Sequence, residues 1–233
     1  MRNLRFILPA IAMMALVSSC SHNDEPTPKP DEPTGKAFKG IIFAAGITNP
    51  EGNSGSVYMQ SLPDMVPGNY DNSNGIPVGF GTAPIVAKSG NIYVLPDYMG
   101  NTKAEIACYR LYADGKWQKK GTMQIPPKAA ACCVVELNSE KAYISLQGLG
   151  TVIVFNPTTM TRIAEIDLNG LKQADTNVSP ASMVIRDGKL FVGLNQMNAQ
   201  YMPTRNNIEL AMIDTKTDKV EKHIVNTSLG MSF

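Results

Sequence analysis

A short strand-forming stretch occurs four times in this chain: Gly40-Ile-Ile-Phe-Ala, Gly90-Asn-Ile-Tyr-Val, Glu140-Lys-Ala-Tyr-Ile and Gly188-Lys-Leu-Phe-Val. Its aromatic residue falls at Phe43, Tyr93, Tyr143 and Phe191, so the intervals are 50, 50 and 48 residues. A fixed period in this range, carried by residues that favour extended backbone, marks an all-β repeat array. Each unit is one supersecondary structure that cannot bury its apolar residues alone and must stack on its neighbours.

The third copy is the most compact. Ala131 to Leu137 is a strand rich in small residues, Asn138-Ser139-Glu140 turns it, and Lys141 to Leu146 runs back. Gln147 to Gly150 is a loop, Thr151 to Asn156 a third strand, Pro157 to Met160 a tight turn, and Thr161 to Leu168 a fourth strand. Gly, Pro and Asn punctuate the strands as an antiparallel meander requires. The same unit fits residues 82–125, with strands Pro84 to Ala87, Asn91 to Leu95, Ile106 to Tyr112 and Trp117 to Ile125. Asp114-Gly115 there is a strong hairpin signal. The unit fits again over 180–225, with strands Ala181 to Ile185, Lys189 to Gly193, Ile208 to Ile213 and Lys219 to Val225. Residues 38–66 hold a partial unit that begins at its second strand, with Ser56 to Gln60 as its third, and Pro63 to Thr82 reads as a connection between units.

Four-stranded antiparallel sheets at this period are the blades of a β-propeller. The first strands carry Ala, Cys, Ser, Val and Pro, which suits the crowded axis. The fourth strands carry the charges expected of an outer strand: Lys119, Lys120, Arg162, Glu165, Glu221 and Lys222. A β-sandwich of similar strand count is the alternative, but it gives no reason for the 50-residue beat. The expected architecture is an all-β, incomplete ring of about three and a half blades over residues 38–233. The final Leu229-Gly-Met-Ser-Phe233 aligns with the first strand of a further blade, which points to the N-terminal half of a larger ring.

The first residues read as an address. Arg2 and Arg5 precede an apolar run from Phe6 to Val17, interrupted only by Pro9, and then comes Val17-Ser18-Ser19-Cys20. The run is short of the roughly 20 apolar residues a bilayer-spanning helix needs, so residues 1–19 read as a cleavable secretory signal. The ending resembles a bacterial lipobox, which implies lipidation of Cys20; an ordinary signal peptide with a chance Cys is the alternative. Residues 20–37, with Asp24-Glu25 followed by a Pro-rich stretch and no large apolar side chain before Ala37-Phe38, read as an extended tether. In polyproline II geometry that tether spans about 40–50 Å.

With a formal net charge of +1 and no Lys/Arg cluster, the chain lacks the electrostatic field of a nucleic-acid binder. Beyond Cys20 the cysteines are Cys108, Cys132 and Cys133, an odd number that completes no disulfide framework. They read as small buried hydrophobes, with a bridge from Cys108 to one of the pair as the alternative. The two histidines, His22 in the tether and His223 on a fourth strand, leave no histidine-rich metal site and no Ser-His-Asp arrangement. No catalytic, metal or cofactor motif is present, and Gly148-x-Gly150 is a turn rather than a phosphate loop.

Second-to-third strand connections vary in length while the other hairpins stay tight, so one face of the ring is expected to bear the binding surface. On it stand Tyr98, Lys103, Gln147, Gln196, Tyr201 and Arg205. Each has the alternative reading of a solvated loop residue. The blade pattern itself, in Pro180 to Val192 with Leu210 to Val220 and in Val134 to Ile144 with Val152 to Arg162, resembles the YncE-like and surface-layer-type propellers. Together with the lipobox and tether, the chain is similar to Bacteroidetes propeller lipoproteins encoded beside TonB-dependent receptors. That resemblance implies a non-catalytic, surface-exposed outer-membrane protein that captures a ferric siderophore or similar nutrient for such a receptor. For an anionic ferric catecholate, Lys103 and Arg205 would supply charge and Tyr98 and Tyr201 stacking surface. A protein-interaction scaffold and a propeller enzyme of lyase or quinoprotein type, with catalytic residues outside this chain, are the alternatives.

Overall fold

The computed structural model describes residues 84–96, 104–111, 117–174, 176–200, 202 and 207–227, together with strands at 41–48, 55–62 and 76–78. All of them belong to one unit, Gly35–Phe233. Among the described residues, fifteen strands form four antiparallel sheets, each in chain order. The first holds β1 (Ile41–Thr48), β2 (Gly55–Leu62) and β3 (Ile76–Val78). The second holds β4 (Pro84–Val86), β5 (Asn91–Val94), β6 (Glu105–Leu111) and β7 (Trp117–Gln124). The third holds β8 (Ala131–Glu136), β9 (Ala142–Leu146), β10 (Thr151–Asn156) and β11 (Thr161–Asp167). The fourth holds β12 (Pro180–Arg186), β13 (Lys189–Leu194), β14 (Ile208–Asp214) and β15 (Lys219–Asn226). The fold is a β-propeller arc of about three and a half blades.

The beat is structural. Tyr93, Tyr143 and Phe191 lie on the second strands of their sheets, opposite Cys108, Val154 and Met212 of the next strand, and Phe43 on β1 likewise faces Gln60 of the strand that follows it. A bulge interrupts the third-to-fourth ladder at the same point of each full blade, between Cys108 and Tyr109, Val154 and Phe155, and Met212 and Ile213. An extra residue there bends the strand and raises its twist. The turns that follow are written in the sequence as well. Asn156 Oδ1 accepts from the N–H groups of Thr158 and Thr159, and Asp214 Oδ1 from those of Lys216 and Thr217. Met160 and Asp218 then adopt left-handed φ of 54° and 56°, the conformation that closes a type I turn into a bulged hairpin.

Sheet stacking explains the hydrophobic pattern. In the third sheet, Ala142, Ile144, Leu146, Ile153 and Phe155 pack with Tyr93, Leu95, Ile106 and Met123 of the second. The alternate residues Tyr143, Val152 and Val154 pack with Leu190, Val192, Ala211 and Ile213 of the fourth. Successive side chains of one strand therefore fill two different cores. This is why β9 and β10 are apolar almost throughout and buried on both faces. Two stacked layers sharing a single core, as in a sandwich, cannot produce this arrangement.

One element escaped the pattern. The three-residue β3, which pairs Ile76–Val78 with β2, lies within the stretch read as a connection. Pro77 lacks an N–H and is tolerated on an edge strand, where it masks the strand signal. A 3-10 turn, Asn169–Leu171, lies between the third sheet and the fourth. Cys108, Cys132 and Cys133 are all free thiols.

Candidate functional site

A groove of about 660 Å³ opens where the innermost strands of three consecutive blades meet, on the side of their first hairpins. Its apolar wall is formed by Val134, Val135 and Leu137 from β8 and its turn, and by Met183, Val184 and Ile185 from β12. The opposite wall is polar. It carries Lys88 and Ser89 from the β4–β5 hairpin, Asn91 from β5, Arg110 from β6 and Lys120 from β7, with Glu136 reaching across from β8.

Glu136 Oε1 accepts from Tyr93 Oη at 2.5 Å and from Asn91 Nδ2 at 2.7 Å. The other end of the same amide, Asn91 Oδ1, accepts from Lys120 Nζ at 3.4 Å. Asn91 is buried and joins carboxylate to ammonium without an ion pair forming between them. Arg110 has no carboxylate within ion-pair distance among the described residues. Three cations thus share one side of a cleft with a single carboxylate and meet an apolar far wall, an arrangement that focuses positive potential.

Beneath this wall the chemistry is quiet. The Tyr93 phenol is held well above its ordinary range, chiefly by burial and then by its bond to Glu136. The Cys108 thiol is pushed up to about 12, mainly by burial; Lys120 and Arg110 pull it down and Glu136 pushes it up. A thiol in that state is protonated at neutral pH and is no nucleophile. Among the described residues, no group of three or more His, Cys, Asp or Glu side chains is placed to hold a metal ion.

Two of the residues singled out from the sequence can be located. Gln147 lies in the β9–β10 loop and Gln196 just after β13; both are buried and directed into the protein. Gln147 Nε2 lies 3.6 Å from Met197 Sδ. Gln196 donates to Glu209 Oε2 at 2.9 Å and to the Leu171 carbonyl at 3.0 Å, and it accepts from Gln173 N and Thr176 Oγ1. His223, on the outermost strand β15, meets the same Glu209 oxygen at 3.0 Å. These groups tie the end of β13 to the segment after the third sheet and to β14 and β15. Cys20, Tyr98, Lys103, Tyr201 and Arg205 lie outside the described residues, as do residues 1–37 and Leu229 to Phe233.

The groove residues were missed by sequence reasoning, because no local rule places them together. Lys119 and Lys120 are consecutive on β7, but Lys120 is the unpaired residue of the bulge opposite Cys108 and Tyr109, where strict alternation does not hold. Lys119 is exposed and pairs with Glu105 at 3.4 Å, as an outer-strand charge should, while Lys120 is half-buried and lines the groove.

Neither a family model nor a curated protein matches this chain. Solved structures of propeller-like proteins do. A Lactobacillus plantarum protein aligns with 84% of this chain and 56% of its own, at 12% identity and a TM-score of 0.51. Apo AztD from Citrobacter koseri aligns over 84% of this chain and 47% of its own, at 12% identity and a TM-score of 0.45. Virginiamycin B lyase from Staphylococcus aureus does so over 84% and 57%, at 15% identity and a TM-score of 0.40. This chain spans about half the length of the structures it matches, and the likeness at such identity is one of fold.

Proposed function

We propose that this chain belongs to a lipid-anchored, non-catalytic capture propeller of the outer membrane, which takes up an anionic nutrient complex of the ferric-siderophore kind for a TonB-dependent receptor. The observation that carries this reading is the groove: ligand-sized, concave, and lined by Lys88, Arg110 and Lys120 against Glu136 alone. The address supports it from the other end of the chain, where Val17-Ser18-Ser19-Cys20 and the Pro-rich tether suit a domain held off a membrane by acyl chains. Each buried acyl CH₂ adds about 0.8 kcal/mol, so two or three chains anchor firmly where one is marginal.

The test is titration of the full-length protein with an iron-loaded catecholate chelate, following the fluorescence of Trp117, the sole tryptophan, and of the tyrosines. Saturable quenching by the anionic complex, with none by a neutral iron chelate, is the expected result. Absence of saturable binding by any iron complex overturns the reading. Metabolic labelling with a radioactive fatty acid should mark the wild type and not Cys20→Ala.

A further inference from the structure

The groove has a polarity of its own, and its two walls come from different blades. We infer that it is a seat for an amphipathic organic anion, with Arg110 and Lys120 holding the anionic oxygens and Val135, Met183 and Ile185 receiving the apolar body. This assignment rests on the capture reading and adds to it the site, the ligand class and the direction in which the ligand lies.

The inference starts from what the cations lack. Elsewhere among the described residues, partly buried lysines are neutralised: Lys141 by Asp218 at 2.7 Å, and Lys189 by Asp214 at 2.7 Å and Glu221 at 2.8 Å. Among the described residues, half-buried Lys120 has only the neutral Asn91 oxygen at 3.4 Å, and half-buried Arg110 has neither a carboxylate nor a carbonyl partner. The one acid lining the groove, Glu136, bonds Tyr93 and Asn91 through Oε1 and forms no ion pair with either cation. A planar guanidinium beside an ammonium, both unpaired at the side of a cleft, suits oxygen anions. The far wall offers no charge. Its residues belong to β8 and β12, so a ligand that bridges the groove joins three consecutive blades. A purely hydrophilic anion leaves that wall wet, and a neutral apolar compound leaves the cations unmatched; a compound carrying both characters satisfies both walls.

Calorimetric titration of the full chain with 2,3-dihydroxybenzoate, its ferric complex, inorganic phosphate and benzyl alcohol tests this. The aromatic anion should bind at least about tenfold more tightly than phosphate or benzyl alcohol, and its affinity should fall steeply with added salt. Arg110→Gln with Lys120→Gln, which keeps a donor near Asn91, should weaken it by about thirtyfold or more, with the melting temperature showing that the variant is folded. Lys119→Gln, at an exposed residue that does not line the groove, should leave it unchanged. Met183→Ala should weaken the aromatic anion several-fold without changing phosphate binding. Equal affinity for benzyl alcohol and the aromatic anion, or unchanged affinity in the double variant, overturns the assignment. The two readings fail separately. If the simple aromatic anion binds at this site and the ferric complex does not, iron capture falls and the site stands. If the ferric complex binds wild type and double variant alike, capture stands and the site falls.

Discussion

The Tyr93 hydroxyl donates to the Glu136 carboxylate of the neighbouring blade at 2.5 Å, across 43 residues of sequence. One period later Tyr143 does the same toward Asp218, at 2.9 Å. The aromatic residue that sets the beat is therefore more than core filling: in the two blades where it is Tyr, its ring is buried and its hydroxyl ties that blade to the next. Tyr93→Phe keeps the ring, which meets Phe155 edge-on at 5.9 Å, and removes only the tie. It should cost about 1–2 kcal/mol in chemical denaturation. A double-mutant cycle with Glu136→Gln should return a coupling of about 1 kcal/mol. Additive effects would mean that the bond does not stabilise the blade contact.

Asp214 and Lys189 shape the pH dependence of stability. The Asp214 carboxyl is held below its ordinary 3.8, first by the Lys189 ammonium and then by the Thr217 N–H. Its contribution is thus present above pH 3.8 and is lost as pH falls through the lower folded value. Lys189 is raised above 10.5 by Asp214 and then Glu221, so its contribution is full below pH 10.5 and is lost on further alkalinisation. Asp214→Asn keeps the side-chain oxygen that caps the turn and removes the charge. Melting curves between about pH 2 and 7 should show a shallower acid-side loss in the variant.

Cys108 should be inert in the folded protein. Its thiol is buried and pushed up to about 12, so iodoacetamide at neutral pH should label it only after denaturation. The stabilisation that comes from keeping it neutral is full below its ordinary 9.0 and declines toward pH 12. Mass-spectrometric mapping of native and unfolded samples reads this directly; rapid native labelling of Cys108 would contradict its burial.

Two glycines on either side of one loop contact should behave oppositely. Gly150 has φ +70°, and a Cβ there would stand 2.4 Å from Asn169 Oδ1 and 2.9 Å from Val178 Cγ1. Gly150→Ala should destabilise by about 1–3 kcal/mol. Gly170, in the 3-10 turn, has nothing within 4 Å of an added Cβ, and Gly170→Ala should change the melting midpoint little.

Gln196 was selected from the sequence as a ligand contact; its place in the structure predicts a different phenotype. It is 2% exposed and joins Leu171, Gln173, Thr176 and Glu209. Gln196→Ala leaves a buried carboxylate with fewer donors and should cost about 1–3 kcal/mol. Binding of the ferric complex should persist at temperatures where the variant is folded. A selective loss of binding at wild-type stability would favour the ligand-contact reading instead.

How much was legible follows from what each signal encodes. Strand alternation, Asx turns and a 50-residue recurrence act within one blade, so the residues themselves announce the strands, their antiparallel order and the all-β class. The small residues of β8 and β12 likewise marked the inner strands in advance. Period-two alternation separates the two faces of a strand but does not say which sheet each face will meet. That choice belongs to tertiary packing. Stacking brought Glu136 to Tyr93 and Asn91, left Lys120 half-buried in the groove while Lys119 stayed exposed, and set Arg110 in the same groove as Met183 and Ile185. The chain alone determined the blades. The charged groove between them was decided only when the blades closed on one another, because it is built from side chains that no local rule places together.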